Sequence, residues 1–131
     1  MDAIATRGLT KRFGDLTAVD GLDLSIHSGG VVGFVGPNGS GKSTTIRLLL
    51  GLLTPTSGTG EVLGSPITHP ARYAHRVGAL IESPSFVPSL SARGNLRSLA
   101  ALRGLPATRV DAVVETVGLV GRDRDLVSTY S

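Results

Sequence analysis

Apolar residues recur along this chain in two rhythms, and the change from one to the other marks its elements. Residues 2–9 and 19–26 read as strands. In the second, Val19, Leu22, Leu24 and Ile26 mostly alternate with polar residues, and Gly21 predicts a bulge. Gly14-Asp15 marks the turn between them, and His27-Ser28-Gly29-Gly30 a second turn. Val31-Val32-Gly33-Phe34-Val35 is a short apolar, β-branched run and predicts a buried parallel strand. The rhythm then becomes helical. Ile46, Leu49, Leu50 and Leu53 fall at i, i+3, i+4 and i+7, and Leu48 and Leu52 extend the apolar surface around the helix.

Thr54-Pro55-Thr56-Ser57-Gly58 breaks that helix, and residues 60–64 form a short extended piece. Residues 70–76 predict a short helix and 77–81 another buried strand, while Pro84 and Pro88 forbid regular structure between 82 and 89. Two helices follow. Ser91 caps the first, with Leu96, Leu99 and Ala100 on its buried face and Gly104 at its end. Val110, Val113, Val114 and Val117 stripe the second, which ends at Gly118.

Composition narrows the function classes. With 131 residues the chain is one domain or part of one. The net charge of +3 comes from eleven arginines and two lysines, Lys11 and Lys42, dispersed along the sequence. That distribution leaves no nucleic-acid footprint. There is no cysteine, hence no disulfide framework or thiolate metal site. Residues 1–7 lack a signal-peptide layout, and the longest strongly apolar run, Leu48 to Leu53, is far too short to cross a bilayer. A soluble, cytoplasmic protein is expected.

The chemistry concentrates in Gly36-Pro37-Asn38-Gly39-Ser40-Gly41-Lys42-Ser43, a full match to the phosphate-binding pattern G-x-x-x-x-G-K-[ST] between the expected strand and helix. The glycines let consecutive N–H groups turn inward as an anion nest, and the helix starting near Lys42 adds the positive end of its dipole. Lys42 is expected at the β/γ-phosphates, Ser43 at Mg²⁺, and Thr44 beside them at the start of the helix. The ligand class is a nucleoside triphosphate.

The chain also resembles, along essentially its whole length, the N-terminal part of the nucleotide-binding domain of ABC transporters. Three segments beyond the phosphate loop carry the resemblance: Leu9 to Gly14, Ala18 to Leu24, and Gly51 to Gly58. It implies an α/β fold: a P-loop NTPase (RecA-like) core with an antiparallel β subdomain at the N-terminus and the start of a helical subdomain. Residues 1–82 would form the β subdomain and core, 83–90 a Q-loop-like segment, and 91–131 the start of the helical subdomain.

The resemblance gives Phe13 a role stacking on adenine; otherwise it reads as an aromatic cap on the hydrophobic core. Most ABC cassettes carry Gln where this chain has Glu82, at the Mg²⁺ and the membrane-subunit relay. Glu82-Ser83-Pro84-Ser85-Phe86, followed by Asn95-Leu96, is similar to bacitracin- and lantibiotic-type exporters. A carboxylate also ligates Mg²⁺; the alternative reading of Glu82 is an exposed loop acid. The same branch often has Glu where Gly94 stands, so a capping-box partner is lost.

No apolar strand followed by Asp-Glu occurs, and His27, His69 and His75 all precede the expected place of a switch histidine. Ser128-Thr129-Tyr130-Ser131 resembles the approach to the signature loop. The chain is thus expected to be truncated, without signature, Walker B strand or switch His, and to bind nucleotide weakly without turnover. By resemblance the complete domain is an ATPase that drives export of a drug or antimicrobial peptide. It would act as a homodimer of ATP-binding domains under a transmembrane permease, at the inner face of the plasma membrane. Alternatives are a non-catalytic nucleotide-binding remnant, a soluble ABC-type ATPase, and another P-loop class. Against the last, neither lysine lies in a guanine-reading motif.

Overall fold

Strands β1 (Asp2–Phe13) and β2 (Leu16–His27) pair antiparallel across the Gly14-Asp15 turn. Four register irregularities interrupt their pairing and compensate one another, two of them around Leu9. Between Thr6 and Leu9 β1 carries the extra residue, and between Val19 and Leu22 β2 carries it. Gly8 and Gly21 sit there at φ +55° and +58°. Their N–H groups, lost to the ladder, are accepted by the Asp23 carboxylate at 2.6 Å and the Thr10 hydroxyl at 2.9 Å. The bulge expected at Gly21 is therefore present, and Gly8 has a counterpart.

A computed structural model describes residues 1–83 and 85–130. The expectations that fall on Pro84 and Ser131 lie outside the described residues. The chain divides into two units, Met1–Glu82 and Ser83–Ser131.

In the first unit β3 (Ser57–Val62) joins the other edge of β1, and the short β4 (Ser65–Pro66) completes an antiparallel sheet of order β2-β1-β3-β4. Helix α1 (Lys42–Leu49) packs through Leu48 into a core of Leu9, Val19, Val62, Ile67 and Tyr73. Leu48 and Leu9 are wholly inaccessible. The stripe expected to face the core is only half right: Leu49, Leu50 and Leu53 are partly buried, Ile46 is 37 % exposed, and the secondary position Leu48 makes the deepest contact. Helix α1 is shorter than the pattern suggested, because Gly51 turns left-handed at φ +70° just beyond it. Residues 70–76 form two 3₁₀ turns, Pro70–Arg72 and Ala74–Arg76.

Both buried parallel strands expected from the sequence are absent. Residues 31–35 and 77–81 have no regular structure, and Val31, Val35 and Leu80 are largely or fully exposed. A strand exists by virtue of its ladder partner. Among the described residues no segment pairs with either run, so their apolar, β-branched composition has nothing to fold onto.

In the second unit α2 (Ala92–Leu102) starts at Ser91, whose hydroxyl accepts the Gly94 N–H at 3.0 Å. Gly104 follows its end at φ +63°. Helix α3 (Thr108–Thr116) meets α2 through Ala100, Val110 and Val114, flanked by Leu96 and Leu119. Leu99 and Val117, read as core, are about half exposed, since the seam between two short helices is only a few side chains wide. Arg93 ties this unit together by donating to Asp123 and Asp111 at 2.5 Å each. Buried Asn95 exchanges hydrogen bonds with the backbone of Val87, at 2.8 and 3.0 Å. No helix among the described residues is long and apolar enough to cross a membrane.

Candidate functional site

Gly41 fixes the loop before α1. It sits at φ +92°, and a Cβ there would lie 2.2 Å from the Ala18 carbonyl oxygen on β2. Only glycine lets the loop pass this close to the sheet. Gly39, at φ +81°, turns the chain two residues earlier. A Cβ at Gly39 would meet nothing within 4 Å, whereas one at Gly36 would meet the end of the Ser40 side chain at 2.7 Å.

Because Gly41 is the residue preceding α1, no side chain caps the helix, and its first turn carries no acidic residue. Among the described residues the N–H groups of Gly39, Gly41, Lys42, Ser43 and Thr44 have no protein acceptor. Those of Lys42, Ser43 and Thr44 are the donors that a helix start leaves over. Thr45 N–H returns to Gly41 O at 2.8 Å and begins the ladder.

Lys42 folds back over the loop. Its Nζ donates to the carbonyls of Gly36 at 2.5 Å and Pro37 at 2.8 Å, with Ser40 Oγ at 3.4 Å. The ammonium thus neutralises loop carbonyls and stands beside the free N–H groups. An anion of phosphate geometry would meet both, and a swing of the flexible lysine stem is enough to exchange partners.

A cleft of about 380 Å³ opens over this loop, lined by Asn38, Gly39, Gly41, Lys42, Ser43 and Thr44 on one side and by Phe13 on another. Leu16, Thr17 and Ala18 complete the lining. Those three carry no motif; what brings them here is the hairpin of β1 and β2, which also delivers Phe13. Phe13 is 47 % exposed, so it is no core cap. Lys11 Nζ lies 5.1 Å from the Phe13 ring centroid and donates to Thr54 O at 2.7 Å. The lysine therefore braces the ring through a cation–π contact.

Of the predicted site residues, Gly36, Pro37, Ser40 and Glu82 do not line the cleft; the Glu82 side chain is engaged elsewhere. Its carboxylate accepts from Arg47 Nη2 at 3.0 Å. Arg47 had no assigned role in the sequence, and a contact 35 residues apart leaves no periodic trace. The Ser43 side chain is exposed, with no hydrogen-bond partner among the described residues. Hydroxyl and carboxylate oxygens are donors that Mg²⁺ accepts, and no group of three metal-ligating side chains occurs among the described residues. The donor set therefore fits a cation that arrives with phosphate oxygens and keeps its waters.

Comparison with known proteins gives a consistent result. Residues 19–131 match the ABC transporter family. The bacitracin transport ATP-binding protein BcrA of Bacillus licheniformis is 40 % identical over 130 residues, which cover 98 % of this chain and 42 % of that protein. The Nod factor export ATP-binding protein I of Ralstonia nicotianae is 39 % identical over 108 residues, covering 82 % of this chain and 34 % of that protein. Among solved structures, a nucleotide-free ATP-binding cassette from an ABC transporter superposes with a TM-score of 0.81 at 25 % identity. That superposition covers 100 % of this chain and 60 % of that one. The chain thus spans about two-fifths of the length of the curated relatives it matches.

Proposed function

This chain belongs to the ABC transporter family, and from that premise we propose that it is the nucleotide-binding segment of an exporter ATPase. The observation that carries the reading is the convergence, in one cleft, of Phe13, the Lys42 ammonium and a run of N–H groups with no protein acceptor. Adenine stacks on Phe13, a contact that suits any flat base. The triphosphate lies along the loop from Gly36 to Thr44. Gly39, Gly41, Lys42, Ser43 and Thr44 donate backbone hydrogen bonds, Asn38, Pro37 and Ser40 shape the turn, and Lys42 leaves the Gly36 and Pro37 carbonyls for the β/γ-phosphates.

The Mg²⁺ that accompanies ATP screens phosphate charge, and Ser43 and Glu82 are its protein ligands. The two residues contribute differently. Ser43 would offer its free hydroxyl to the ion, and Glu82 a carboxylate that accepts from Arg47 in this structure.

ATP hydrolysis belongs to the family's complete domain, acting as a homodimer on a transmembrane permease at the cytoplasmic face of the membrane. The relatives' names, bacitracin transport and Nod factor export, support export as the direction and a drug or antimicrobial peptide as the cargo. The 131-residue polypeptide itself binds ATP without turning it over.

Titration of the chain with ATP and Mg²⁺, followed by calorimetry, tests the reading. One saturable site, competed by ADP and accompanied by no phosphate release, is expected. Absence of saturable binding would refute it.

A further inference from the structure

Lys11 and Phe13 stand two residues apart on β1, so their side chains leave the strand on the same face. The Lys11 ammonium sits 5.1 Å from the Phe13 ring centroid. Phe13 lines the cleft and Lys11 does not. The cation therefore occupies ring surface outside the cleft and leaves the cleft side of the ring open.

The ammonium is itself anchored. It donates to the Thr54 carbonyl at 2.7 Å, and Pro55 confines Thr54 to an extended backbone, which limits where that carbonyl points. Two further bonds tie the same segment to the end of β1. Thr56 N–H donates to Thr10 O at 2.9 Å, and Arg12 N–H donates to Thr56 Oγ1 at 3.0 Å. Residues 54–56 follow α1, the helix that begins at Lys42. A half-exposed phenylalanine at a strand end has several rotamers open to it. Lys11 gives this one a fixed partner, held by the segment that leaves the phosphate-loop helix.

We propose that Lys11 is a positioning residue for the base of the nucleotide. Anchored on Thr54, it holds the Phe13 ring from outside the cleft and so sets the plane that the ring offers to a planar base. The inference rests on the nucleotide-binding reading above and adds to it the residue that orients the stacking surface. Base and phosphate subsites are then kept in register by one continuous stretch, from the phosphate loop through α1 to Thr54 and back to β1.

The test begins without nucleotide. The chain contains no tryptophan, so Phe13→Trp supplies a single fluorescent reporter at the ring position. Its anisotropy in the nucleotide-free chain falls when Lys11→Met is added. It holds with Lys11→Arg, whose guanidinium also faces aromatic rings and donates to carbonyls. With Phe13 in place, Lys11→Met raises the ATP dissociation constant roughly two- to fivefold, the range that a cation–π contact at an exposed site spans. Binding of inorganic triphosphate, which carries no base, stays the same. Added to Phe13→Ala, Lys11→Met produces no further loss.

An unchanged anisotropy in the Lys11→Met variant would overturn the proposal. So would equal weakening of ATP and inorganic triphosphate, which would mean that Lys11 acts on the phosphates through its charge. A full further loss in the Phe13→Ala background would also overturn it. Each of these leaves the nucleotide site standing. If the wild type shows no saturable ATP binding, the nucleotide reading falls and the base-positioning role falls with it.

Discussion

Gly41 and the Ala18 carbonyl oxygen stand so close that a Cβ on Gly41 would lie 2.2 Å from that oxygen. The phosphate loop is therefore seated against β2, and its shape is inherited from the hairpin. Gly41→Ala meets backbone, which cannot yield as a side-chain tip does, and meets it at φ +92°. A loss of about 2 kcal/mol or more is expected, with ATP affinity falling at least tenfold. Gly36→Ala, whose Cβ meets only the movable Ser40 side chain, serves as the mild comparison. Urea melts and ATP titrations of both variants check this.

Phe13 lines the nucleotide cleft and is braced by Lys11. Phe13→Ala should weaken ATP binding by about 1 kcal/mol, or roughly fivefold, and Phe13→Trp should restore it. Binding of inorganic triphosphate, which has no base, should be the same in all three. Competition titrations separate the two cases; equal losses for both ligands would mean that Phe13 shapes the loop instead.

The Tyr73 hydroxyl donates to Leu49 O at 2.9 Å, satisfying a carbonyl at the end of α1 from inside the core. Burial also pushes the phenol's pKa up, so the group stays neutral and remains a donor. Tyr73→Phe orphans that carbonyl and should cost about 1–2 kcal/mol, read as a lower urea midpoint with an unchanged slope. ATP affinity at saturating stability should not move.

Asp123 is held below the usual carboxylate range, chiefly by the hydrogen bond from the Arg93 side chain. A lowered folded-state pKa gives stability that is present in full above the unfolded aspartate value, near pH 4, and is lost as pH falls through the lower folded value. Asp123→Asn should therefore lower the Tm at pH 7, and the gap to wild type should close as the pH drops below about 4. A pH-independent gap would assign the loss to packing alone.

What was legible in the sequence follows from how local each signal is. The phosphate loop could be read because its glycines answer local demands: a left-handed φ at Gly39 and Gly41, and no room for a Cβ at Gly41. Ser91 and Gly104 were legible for the same reason, since a helix start and a helix end have their own chemistry. The strands expected at 31–35 and 77–81 were not, because an apolar β-branched run states a preference while a ladder requires a partner. Leu48 rather than Ile46 faces the core because the rotation of α1 is set by where Gly41 and Gly51 turn the chain. Arg47 and Glu82 were beyond any pattern: two charges 35 residues apart meet only after the sheet and α1 have formed.

The most direct test of the whole account is ATP binding by Lys42→Ala against the wild type. Among the described residues Lys42 donates only to loop carbonyls and Ser40, so its removal should leave the fold's melting temperature within a few degrees. Loss of its charge-assisted bonds to phosphate should weaken ATP roughly 10- to 100-fold, as expected for about 1.5–3 kcal/mol. Equal affinity in the two proteins would contradict the assignment of residues 36–44 as the nucleotide site.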